Sequence, residues 1–184
     1  MSIISIIPVT LLLMGAAKKR NLPEPTPPPI VTEVGNVIFE PKKYYATKDE
    51  ADMIRLAGKK MNEIVQSKEF FDCIKNRKLI QTNGRTPEQV AAHLQSIKGT
   101  VPVVMYYRRF TSAVAYRQPP STTINLNRKY FVRSIGVCEW SSTMGHEALG
   151  HALGEYGHDF KWNKMRDFSV PYSINYCFEQ VCKE

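Results

Sequence analysis

Five prolines fall between Asn21 and Ile30, in the run Asn-Leu-Pro-Glu-Pro-Thr-Pro-Pro-Pro-Ile. Proline locks φ and has no amide hydrogen, so this run can enter neither a helix interior nor the middle of a sheet. It reads as an extended, semi-rigid spacer over residues 21–35 with no core of its own. The chain is thereby divided into a leader or anchor over residues 1–20, the spacer, and a folded unit over residues 36–184. A ligand for SH3-type domains is the rival reading of the spacer.

The leader is apolar from Ile3 to Ala17. As a helix it would span about 22 Å, short of the roughly 30 Å hydrocarbon core of a bilayer. Its length suits the apolar region of a signal peptide, and Gly15-Ala16-Ala17 offers small residues for cleavage. Against export, no basic residue precedes Ile3, and Lys18-Lys19-Arg20 follows the run directly, a flank that favours retention. The expectation is a secreted or periplasmic protein, with a membrane tether through the N-terminus as the alternative. The four cysteines, Cys73, Cys138, Cys177 and Cys182, would permit two disulfides in an exported chain, with three pairings open.

Hydrophobic residues make up 43% of the chain, enough to bury a core. The net charge is +8, and three of the positives are Lys18, Lys19 and Arg20. Further along the basic residues occur as scattered pairs, such as Lys59-Lys60 and Arg108-Arg109, and not as a stripe. Nucleic acid is therefore not an expected partner.

Within the folded unit, Thr47-x-x-Glu50 reads as a capping box. Ala51, Ile54, Ala57, Met61, Ile64 and Val65 recur behind it at helical spacing and predict a helix near 48–66. Ser67 can cap a second helix carrying Phe70, Phe71 and Ile74. Thr86-Pro87-Glu88-Gln89 starts a third, with Val90, Leu94 and Ile97 as its buried face and Gly99 as its end. His93 on this helix reads as a surface or packed residue. Residues 101–107, 113–116 and 122–126 are rich in β-branched and aromatic side chains and predict strands, the first at a sheet edge because of Pro102. Helices, then a small mixed or antiparallel sheet, then another helix, give an α+β class. Residues 36–99 would be either the helical half of the fold or a partial prodomain.

Three of the four histidines lie within thirteen residues, in Thr143-Met-Gly-His-Glu-Ala-Leu-Gly-His-Ala-Leu-Gly-Glu-Tyr-Gly-His-Asp159. The zincin motif is His-Glu-x-x-His on a helix, where imidazoles at i and i+4 share a face and hold one zinc ion beside a general-base Glu. A longer form adds x-x-Gly-x-x-His. Here each spacing is one residue longer, five from His146 to His151 and seven from His151 to His158. Five residues of regular helix rotate about 500°, which would splay the two rings by about 140°. A one-residue π-type bulge can absorb the difference, and such bulges tend to sit at functional sites. Gly150 would ease that distortion. Without a bulge, Glu147, His151 and Glu155 would share a face instead.

His-Glu-Ala-Leu-Gly-His resembles the His-Glu-x-x-Gly-His zinc motif of dipeptidyl peptidase III, which carries the same extra residue. His151-Ala-Leu-Gly154 followed by His158 resembles the metzincin arrangement with one residue added, in which the Gly permits a sharp turn that returns the third His to the metal. Thr123-Ile-Asn-Leu-Asn127, the His-Glu helix and Arg166-Asp-Phe-Ser-Val-Pro-Tyr172 together are similar to small secreted bacterial zincin-like proteins, over roughly residues 100–175. The resemblance implies a zincin-type active-site helix and zinc (Zn2+) held by His146, His151 and His158. Glu179, Asp159 and Glu155 are the other options for the third ligand.

It further implies metal-assisted hydrolysis of a peptide or protein substrate, peptidoglycan peptides included, with Glu147 as general base and then acid. Tyr172 is the first choice as donor to the developing oxyanion, with Arg166 and Tyr156 behind it. Met165 would be core, since no Met-turn is present in its usual form. Substrate would add as a strand along Thr122–Leu126. The alternative to a zinc metallopeptidase is a non-catalytic zincin-like metal-binding domain that acts as a protein-binding module.

Overall fold

Residues 37–42, 45–131, 136–158 and 165–182 are described by a computed structural model. The leader and spacer expected over 1–35 lie outside them. Along the chain run β1 (Val37–Pro41), α1 (Lys48–Val65), α2 (Lys68–Lys75), α3 (Pro87–Ser96), β2 (Gly99–Tyr106), β3 (Ala115–Arg117), β4 (Ile124–Asn127), α4 (Arg128–Phe131), α5 (Val137–Gly145), a π-helical segment (His146–Ala152), a 3-10 turn (Arg166–Phe168) and α6 (Val170–Val181). The α+β class holds, with a mixed four-stranded sheet.

The helix starts follow local chemistry. Thr47 Oγ1 accepts from Glu50 N at 3.3 Å, and Glu50 Oε2 accepts from Thr47 N at 2.8 Å, which satisfies two end amides reciprocally. Thr86 and Gln89 repeat this box on α3, and Ser67 caps α2. All six residues read as the apolar face of α1 are buried. Helix α3 ends at Ser96, earlier than expected, because Ile97 turns extended and Gly99 already opens β2.

The strand order is β1-β2-β4-β3, with β1, β2 and β4 parallel and β3 antiparallel at one edge. Strand β1 was not expected from the sequence. It is anchored on α1, where Asn62 donates to Val37 O at 2.8 Å and accepts from Val37 N at 3.1 Å. Since β1 pairs with β2 and α1 packs on α5, the described residues before β2 pack into the same fold as those after it.

Two expectations about edges are corrected. Strand β2 lies inside the sheet despite Pro102. Lys42 N donates to Val103 O, so the polar groups of Val103 face β1 and those of Pro102, one residue away, face the β4 side. There the ladder begins only at Val103↔Ile124, so the missing amide of Pro102 leaves no bond unmade. The segment Thr122–Leu126 is not an edge for substrate either. Its strand, β4, is paired on both sides, and the free edge at that end of the sheet belongs to β3.

Both disulfides form, Cys73–Cys177 between α2 and α6 and Cys138–Cys182 between α5 and the end of α6. They close sequence separations of 104 and 44 residues. In the chain-entropy account these are worth up to about 4.7 and 4.0 kcal/mol. Urea unfolding of a Cys73→Ala/Cys177→Ala variant should show a loss approaching the larger value, with the Cys138→Ala/Cys182→Ala pair somewhat less affected. No helix among the described residues is long and apolar enough to cross a membrane.

Candidate metal centre

Helix α5 runs without a break into the π segment His146–Ala152. The amide of Leu153 reaches back five residues to Ala148 O at 2.8 Å, the bond that defines the wider turn. This turn cancels the 140° splay of a regular helix. The ring centroids of His146 and His151 are 5.1 Å apart, so a spacing of five now presents both imidazoles to one side. The alternative face made of Glu147, His151 and Glu155 does not form, and Glu155 is exposed.

Gly150 has a steric role beyond easing the bulge. A Cβ there would meet Pro171 Cβ at 2.9 Å and Cγ at 3.0 Å, so the π segment lies directly against the first turn of α6. That contact carries the next residue, Tyr172, to ring-centroid distances of 5.0 Å from His146 and 5.1 Å from His158. The guanidinium of Arg166 stacks over the Tyr172 ring at 4.5 Å.

The chain reverses after Ala152, though not as expected. The left-handed residue of the turn is Glu155, with φ 58°, and not a glycine. Gly154 is needed for close approach instead, because a Cβ at that position would fall 1.8 Å from the Leu149 carbonyl oxygen. Tyr156 N then donates to Gly150 O at 2.8 Å, which folds the turn back on the π segment. His158 arrives 4.7 Å from His151 and 5.5 Å from His146, centroid to centroid.

The result is a group of three imidazoles whose ligand nitrogens all lie within 4.8 Å of one another, an arrangement able to hold a metal ion. An ion with bonds of about 2.0–2.1 Å in a tetrahedron would set its ligand nitrogens about 3.4 Å apart, within reach of small ring rotations. His151 Nδ1 is 2.7 Å from Tyr156 O. A carbonyl only accepts, so Nδ1 carries the proton and the Nε2 lone pair is left for a metal. His146 is 8% exposed, and its Nδ1 has no hydrogen-bond partner of ordinary geometry.

The electrostatics agree with a ligand set. Burial first, then the neighbouring imidazoles, hold His146 well below the usual histidine range. Burial lowers His151 to about 4 and also depresses His158. All three rings are therefore neutral at pH 7, the form that binds metals. Glu147, next in sequence, is also 8% exposed. Burial raises its pKa to about 7, while the Arg117 backbone amide and side chain pull the other way. A cation on the imidazoles would favour the carboxylate further.

Other candidates are placed elsewhere. Glu179 is exposed on α6 and is not part of the group, while Asp159 lies outside the described residues. Met165 is 44% exposed and is not core. Tyr156 is 2% exposed with its hydroxyl 2.7 Å from His93 Nδ1, so its phenol serves α3 and only its carbonyl serves the centre. Two contributors were missed from sequence. His93 braces Tyr156, which in turn orients His151. Arg117 on β3 faces Glu147 and donates to His151 O at 3.3 Å. Both lie more than two dozen residues from the motif, and no local pattern links them to it. No protein-family model, no curated protein and no solved structure matches the chain.

Proposed function

We propose that this chain is a zinc-dependent metallopeptidase acting on peptides or proteins, with His146, His151 and His158 as the ligands. The observation that carries the reading is the convergence of three neutral imidazoles beside a buried carboxylate, achieved only because the helix widens at that point. Three histidines with an open fourth position suit a catalytic zinc site. The ion would supply Lewis acidity there, polarising a water and the scissile carbonyl.

The remaining steps belong to the chain. Glu147 takes the proton of the attacking water and returns it to the leaving amine. Tyr172, held against His146 and His158, donates its hydroxyl hydrogen to the carbonyl oxygen as charge develops there. Arg166, stacked on the Tyr172 ring, fixes that ring and adds positive charge. Strand β3 offers an edge along which an extended substrate can pair, and its Arg117 stands beside Glu147. The pairing of all four cysteines supports an oxidising, exported location.

Metal analysis of the purified protein by mass spectrometry should find one zinc per chain, lost in His151→Ala. Retention of a full equivalent by that variant would sink the ligand assignment. A wild type that binds zinc but cleaves nothing in a broad peptide library would favour the binding-module reading.

A further inference from the structure

Between Glu88 and Glu139 the sequence has no acidic residue, while Lys98, Arg108, Arg109, Arg117, Arg128 and Lys129 are all basic. This span builds β2, β3, β4 and α4 and contributes only basic charged side chains there, the neighbouring acids being Glu40 on β1, Glu50 on α1 and Glu147. Of these six, Arg128 is in an ion pair, with Glu50 at 2.5 Å, while Arg108 and Arg109 form none with the described residues. At the far end of the sheet, the loop from β2 to β3 projects Phe110, 91% exposed, and Tyr107, 62% exposed. Arg108 and Arg109 lie between them, and the Arg109 guanidinium is 5.4 Å from the Phe110 ring centre.

The loop is held in this shape from beneath. The side chain of Asn127, fully buried, accepts from Arg108 N at 3.2 Å and donates to Arg108 O at 3.1 Å and Ala113 O at 3.3 Å. Lys129 Nζ donates to Thr111 O at 3.0 Å, and the Tyr130 hydroxyl donates to Ser112 O at 3.0 Å. Single exposed apolar residues are ordinary. Two aromatics and two arginines on one braced loop, in a span without acids, form a more specific surface.

We propose that the loop 107–110 docks the protein on an anionic phospholipid bilayer. Phe110 and Tyr107 enter the headgroup layer, and Arg108 and Arg109 meet the lipid phosphates. Charge complementarity selects an anionic surface. Phe110 is 91% exposed with the Arg109 guanidinium beside its ring, an apolar group next to a cation on one short loop, which favours a lipid interface over a single-stranded nucleic acid. The inference is independent of the metal centre, and Glu147→Gln should dock like the wild type.

The test uses the full chain, so the leader is the same in every sample. Co-sedimentation is measured with vesicles of phosphatidylcholine alone and of phosphatidylcholine with phosphatidylglycerol in equal parts. Binding is expected to the second type, with Phe110→Ser weakening it about tenfold or more. Arg108→Ser and Arg109→Ser should each weaken it about fivefold, and less at high salt. In a Phe110→Trp variant, brominated lipid should quench the added fluorescence, which reports contact by the loop itself. Unquenched fluorescence, or Phe110→Ser binding as tightly as wild type, would overturn the proposal. So would the same substitutions weakening binding of a single-stranded oligonucleotide while leaving vesicle binding unchanged.

Discussion

Glu147→Gln should lower peptide hydrolysis by about 10²–10⁴-fold, the range expected when a positioned proton carrier is removed. Gln has nearly the same shape but cannot take a proton, so the chemistry is lost and the packing is kept. Glu147 is not one of the grouped ligand atoms, and metal content should stay at one ion per chain. Stability should hold or rise slightly, because the carboxyl sits in a buried position that already penalises its charged form. The measurement pairs kcat/KM on a cleaved peptide with metal analysis of the same sample. Full activity in the variant would remove Glu147 from the mechanism, while loss of activity together with metal would make it structural.

Gly154→Ala should be more damaging than an added methyl group at Gly58, Gly145 or Gly150. Its Cβ would lie 1.8 Å from the Leu149 carbonyl oxygen, and a backbone atom cannot swing aside as a side chain can. Overpacking commonly costs 1–3 kcal/mol, and here a loss of at least about 3 kcal/mol is expected. The turn that brings back His158 would have to open, so affinity for a metal ion at the three histidines should fall along with the melting temperature. Gly157→Ala is the control, since its added Cβ would meet nothing within 4 Å. It should change stability by no more than about 0.5 kcal/mol. Equal behaviour of the two variants in thermal unfolding would mean that the turn is not packed as described.

Both predictions depend on a bulge that was already legible in the chain. Five residues between His146 and His151 are incompatible with shared ligation on a regular helix. Three histidines so close together made a wider turn the natural resolution, and the structure contains that turn. The helices were legible for the same local reason, since capping boxes and apolar spacing act within a few residues of each other. The purpose of the glycines was less legible. Gly154 suggested a left-handed turn, yet Glu155 takes that conformation and Gly154 lies against a carbonyl. Glycine in a sequence marks a special position, but only packing shows whether φ or space is the constraint.

What the sequence determined by itself is therefore the local part: the α+β class, the starts of α1, α2 and α3, and the three clustered histidines with their neighbouring Glu147. Tertiary structure alone decided the rest. It placed β1 beside β2, set β4 between two neighbours and left β3 as the edge beyond it. It chose Cys73–Cys177 and Cys138–Cys182 from three pairings. It also brought Arg117 to Glu147 and His93 to Tyr156. The physical reason is range. Capping, periodicity and ligand spacing are properties of neighbours along the chain, whereas strand order, disulfide partners and the groups that orient a ligand depend on which distant surfaces bury one another.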